Sequence, residues 1–113
     1  MPRDFKNYLA DIEEAIQKVF KYTQNMTYEG FIEDDKTIDA VIRNLEIIGE
    51  ASSKIPEEIR HRYSEIEWKR IVGLRNILIH EYFGLSLKII WDIVHNKLPE
   101  LARQIRQILD EQQ

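Results

Sequence analysis

Gly73-Leu74-Arg75-Asn76-Ile77-Leu78-Ile79-His80-Glu81-Tyr82 sets an arginine, an asparagine, a histidine and a tyrosine into an otherwise apolar run. With Ile71 and Val72 ahead of it, the apolar residues point almost all the way round a helix of about 3.6 residues per turn. Such a helix is expected to be buried in a bundle or at a subunit contact. An arginine there must be paired or must meet an anion, because an uncompensated buried charge is costly. Arg75 and His80 stand about 140° apart around the helix with Asn76 between them, and Tyr82 returns to within about 20° of Arg75. One guanidinium and one imidazole can therefore line the same cleft.

Working outward, the rest of the chain is helical in pattern. Phe5, Leu9, Ile12, Ile16, Val19 and Phe20 form one stripe. Ile38, Val41, Ile42, Leu45 and Ile48 form a second, after a polar loop around Thr23 to Asp35. Pro56, at a first-turn position beside Glu57 and Glu58, opens a short helix bearing Ile59 and Tyr63. Ser64-Glu65-Ile66-Glu67 reads as a capping box, which starts the motif helix near Glu65 and carries it to about Glu81, with Gly84 ending it. Ser86 can cap the last helix, where Leu87, Ile90, Val94, Leu98, Leu101, Ile105 and Ile108 recur at spacings of three and four. Pro99 should kink or split that helix, since its ring removes a backbone donor and clashes with the preceding turn. The expected fold is all-α, an antiparallel bundle of four to five helices, forming a single domain over residues 1–113.

Composition limits the chemistry. There is no cysteine, so neither a disulfide framework nor a thiolate metal site is available. No apolar run approaches the roughly 20 residues of a membrane span and the first turns are acidic, which predicts a cytoplasmic protein with no membrane association. The net charge of −4 is unevenly placed: residues 1–50 carry −5 and residues 51–113 carry +1. Between Arg60 and His80 lie Arg60, Arg62, Lys69, Arg70 and Arg75 against only Glu65 and Glu67, so a phosphate backbone would be met there, with Lys69 and Arg70 as candidate RNA contacts. Ordinary solvated helix charges are the plainer reading of the same residues.

The Arg75-x-x-x-x-His80-x-Tyr82 spacing resembles the signature of the HEPN superfamily, and more closely its HepT-like toxin branch. Further stretches look like that branch in the same order: Ile47-Ile48-Gly49-Glu50-Ala51, Lys54-Ile55-Pro56, the Trp68-to-Gly73 approach to Arg75-Asn76, Trp91-Asp92-Ile93-Val94, and Leu98-Pro99-Glu100-Leu101. Together they cover roughly residues 5 to 110. The resemblance implies a metal-independent ribonuclease with Arg75 and His80 as the active pair. It also implies a homodimer whose two motifs face one cleft, and a minimal nucleotidyltransferase antitoxin that adenylylates the tyrosine at position 82.

The residues themselves allow that chemistry. Without a cysteine nucleophile, a Gly-rich phosphate loop or paired His-carboxylate spacing, thiol, kinase-like and zinc chemistries lose their usual parts, and no cofactor or metal is called for. In RNA the 2′-hydroxyl is an internal nucleophile, so an enzyme need only move protons and neutralise charge on the phosphorane. His80 could act as general base or acid, Arg75 could hold two phosphate oxygens, and Asn76 could bond the same oxygens or fix the imidazole. Glu50 could orient Arg75 or His80, although a solvent-facing glutamate is the commoner case. Tyr82 could also simply close its helix with a buried ring. His61 and His95 lie outside the motif, and Trp68 and Trp91 are expected in the core or an interface. An alternative function keeps the fold but not the reaction: a non-catalytic helical subunit that docks a nucleotidyltransferase or a nucleotide.

Overall fold

Two long amphipathic helices form the base of the molecule. In the computed structural model, which describes residues 3–80 and 86–112 (without the side chains of Ile79 and His80), α1 spans Phe5–Thr23 and α3 spans Asp35–Ser53. Asp4 caps α1 by accepting from the Lys6 N–H at 2.9 Å, and Asn25, at φ 62°, takes the left-handed turn just past its end. The buried stripe Leu9, Ile12, Ile16 and Val19 packs α1 against α3, which contributes Ile38, Val41, Ile42, Leu45 and Ile48. Both stripes therefore form as their spacing predicts.

The segment read as a polar loop holds a short helix, α2 (Tyr28–Ile32), capped by Thr27 through the Gly30 N–H. Its one inward side chain, Phe31, is fully buried with its ring 5.1 Å from that of Trp91. A five-residue helix with one core anchor leaves no periodic trace, which is why the pattern missed it. After α3 comes α4 (Glu57–Arg62), with Pro56 just ahead of it. Arg60 donates to the Ser53 and Ile55 carbonyls, both at 2.9 Å, so it satisfies the frayed end of α3.

The motif helix, α5, runs Trp68–His80. This corrects the expected start near Glu65: Ser64 to Glu67 is a turn, and no capping box forms. The entry is fixed instead by Trp68, which is buried and donates its indole N–H to the Tyr63 carbonyl at 3.1 Å. The expected termination at Gly84 lies outside the described residues. The last element splits where Pro99 demands it. Ser86 caps α6 (Leu87–Asp92), a π-helical turn follows over Ile93–Lys97, and α7 (Leu98–Glu111) begins with Pro99 in its first turn. The wider turn absorbs the lost donor and the bulk of the ring without ending the rod. Four main helical rods thus form an all-α bundle, with α3 central between α1 and α5, and α7 lying on α1. Among the described residues no helix is long and apolar enough to cross a membrane.

Candidate active site

α5 meets α3 at Gly49. A methyl group placed on Gly49 would lie 2.5 Å from Cβ of Arg75 and 3.1 Å from the Ile71 carbonyl oxygen, so the two backbones approach there as closely as only glycine permits. The arginine of the motif therefore stands at the helix crossing itself. Its Nη1 donates to Glu50 Oε2 at 2.5 Å. Glu50 also lies 3.9 Å from the ammonium of Lys54, the residue just past the end of α3, so one carboxylate is shared between two cations. Glu50 thus pairs with Arg75, one of the two residues that it was expected to orient, while the side chain of His80, the other, lies outside the described residues.

Arg75 is not sealed in a core: its side chain is 29% exposed, while its Nε is buried with no hydrogen-bond partner among the described residues. The guanidinium is thus held by one carboxylate from one side, and a phosphate oxygen would have to share or displace that contact. Asn76, the next residue, is exposed. Lys69 and Arg70 are exposed at the start of α5, where Arg70 pairs with Glu67 at 3.0 Å. His80 lies on α5, about 7.5 Å along the axis from Arg75 at 1.5 Å per residue. Its side chain, and the whole of Tyr82, lie outside the described residues.

The motif helix was expected to be buried in a bundle or at a subunit contact, and the single chain buries it only in part. Leu78 is buried, but Ile77 is 40% exposed, and the space beside Gly73 is open. A groove of 660 Å³ borders this side of α5, lined by Leu74 and Ile77 of α5, Leu45 and Ile48 of α3, and Ile93 and Leu98 of the last rod. Arg75 does not line it. The guanidinium opens instead into a separate cleft of 380 Å³ over α1 and α3. α5 therefore has two sides of different character, one bordering the apolar groove and one bordering the charged cleft. Sequence reading missed the role of Gly49, although a glycine inside a strongly helical stripe is a usable signal of close backbone approach. It also missed the cleft lining from α1, for which no local pattern exists.

Fold and site together define an all-α bundle of the HEPN type, assembled around a helix with an Arg-x-x-x-x-His spacing. Comparison with known families matches residues 12–108 to Ribonuclease HepT-like, and the chain belongs to that family. It is similar to a candidate RNase of Methanocaldococcus jannaschii (44% identical over 110 residues, 96% of this chain and 91% of that one). It is also similar to a protein named as a probable ribonuclease HepT in Thermococcus cleftensis (41% over 108 residues, 96% and 98%). A candidate RNase of Caldanaerobacter subterraneus is 38% identical over 105 residues, 93% of this chain and 94% of that one. No solved structure matches the chain.

Proposed function

We propose that this protein is a metal-independent endoribonuclease toxin that cleaves RNA by attack of the 2′-hydroxyl on the adjacent phosphate. The observation that carries the reading is the placement of Arg75. It is fixed at the α3–α5 crossing by Gly49, oriented by Glu50, and sits on the same helix as His80. In this reading Arg75 neutralises the phosphorane oxygens, and His80 transfers the proton to or from the reacting oxygens. Asn76 assists at the same oxygens, and Lys69 and Arg70 hold the flanking backbone. The product end is a 2′,3′-cyclic phosphate, so DNA is not a substrate.

One histidine per motif supplies either the acid or the base, and a homodimer supplies both. The apolar groove beside Ile77 offers a second copy a surface on the motif helix and on the last rod; it lies on the side of α5 away from the Arg75 guanidinium, and so suits the dimer contact rather than the shared cleft itself. A cytoplasmic nucleotidyltransferase antitoxin would neutralise the enzyme by transferring AMP to Tyr82, which puts negative charge and bulk near Arg75. The Glu50–Arg75 pair also suits the alternative, a non-catalytic subunit docking a nucleotidyltransferase or nucleotide, because an arginine already neutralised needs no substrate.

The purified chain should cleave RNA in EDTA and leave cyclic phosphate ends, while folded His80→Ala does not. Equal cleavage by that variant, or a strict need for magnesium, would remove the mechanism, and no cleavage at all would favour the docking subunit. After incubation with the partner and ATP, mass spectrometry should find AMP on the wild type and none on Tyr82→Phe. Label on another residue would make Tyr82 purely structural.

A further inference from the structure

We propose that the cleft over α1 and α3 is a subsite for one unpaired nucleotide of the RNA, next to the phosphate held by Arg75. The inference rests on the ribonuclease reading and extends it to substrate form. The cleft's 380 Å³ falls within the range of small-ligand pockets, about 300–1,000 Å³. Arg75 is among the residues that line it, so whatever fills it lies beside the guanidinium that would hold the reacting phosphate. Tyr8 of α1 supplies an aromatic wall, and the Arg3 guanidinium already lies over that ring at 4.7 Å from its centroid. A phenol and a guanidinium plane together are what an unstacked base packs against. Ile47 and Ala51 of α3 supply apolar lining.

Charge limits the occupant further. Four cations line the cleft, Arg3, Arg43, Lys54 and Arg75, against three carboxylates, which leaves a net charge of +1. Arg3 is held closely by Asp11 at 2.8 Å. The other two surface pairs are loose: Arg43 is 3.6 Å from Glu46 and Lys54 is 3.9 Å from Glu50, with both basic side chains mostly exposed. Such pairs exchange readily for a phosphate, but the remaining carboxylates repel a longer polyanion. The fit is one base with one phosphate. A duplex, whose bases are stacked and paired, cannot offer that.

The test uses the full chain and a short single-stranded RNA, in a cleavable form and in a form with every 2′-hydroxyl methylated. Tyr8→Leu should weaken binding of the methylated RNA about tenfold, and should raise KM for the cleavable RNA more than it lowers kcat. The double variant Arg43→Gln, Lys54→Gln alters only exposed side chains. It should flatten the dependence of log affinity on log salt by about 0.7 to 1.4. Lys36→Gln, about 21 Å along α3 from Glu50, should change neither quantity. Methylated RNA of the same sequence in a duplex should bind more weakly and be indifferent to Tyr8→Leu. A wild type that cleaves RNA while the Arg43, Lys54 variant keeps its affinity and salt slope would overturn the subsite and leave the ribonuclease reading standing. A wild type that neither binds nor cleaves RNA overturns both.

Discussion

At the scale of single residues, the site depends on an atom that is missing. Gly49 lets α3 touch α5 at Arg75, and an added Cβ would meet Arg75 Cβ and backbone rather than the movable end of a side chain. α5 must then shift, carrying the guanidinium away from Glu50. Gly49→Ala should therefore destabilise the fold by about 1–3 kcal/mol, as overpacking does, and should reduce RNA cleavage at least tenfold in protein that remains folded. Denaturant unfolding and single-turnover cleavage measure the two effects. A variant of wild-type stability and rate would show that the crossing is slack. Ser52, on the same helix, is fully buried, and its hydroxyl has no hydrogen-bond partner among the described residues.

At the scale of the element, local capping holds the helices in place. Asp34 opens α3 by accepting from the Thr37 N–H at 3.1 Å and from its hydroxyl at 2.8 Å. These bonds favour the carboxylate and hold Asp34 below the ordinary carboxylate range, the backbone bond foremost. Because the folded value is depressed, the stabilisation is fully present above the unfolded pKa and is lost as pH falls through the folded one. Asp34→Ala should lower Tm at pH 7, and the gap to wild type should close as pH drops below about 4. Melting curves across that range check it, and a gap independent of pH would assign the loss to helix propensity instead.

At the scale of the whole molecule, the two sides of α5 divide the work. One side carries Arg75 over the charged cleft, and the other borders the apolar groove, where Ile77 is exposed and Gly73 leaves open space. If that groove is the homodimer contact, Ile77→Lys places an unpaired charge in it. The variant should sediment as a monomer at micromolar concentration where the wild type sediments as a dimer, and cleavage should fall with it. A wild type that is itself monomeric would locate both proton-transfer groups in one chain.

The sequence by itself determined the helices and the residue types of the site. Stripes such as Leu9–Ile12–Ile16 and Ile38–Val41–Leu45 depend on backbone periodicity, which is local, and Ser86 and Pro99 act within a turn of where they stand. The Arg75-to-His80 spacing was equally legible, because both residues ride on one helix. The start of α5 was not, since the buried Trp68 indole and its bond to Tyr63 outweigh a capping box that local chemistry favours. Nor was α2, anchored by the single Phe31. Only the tertiary structure placed Gly49 beneath Arg75, chose Arg75 as the partner of Glu50, 25 residues away, and brought Tyr8 to the same cleft. Those contacts join positions on different helices. Their geometry follows from how the helices cross, which no window of the sequence contains.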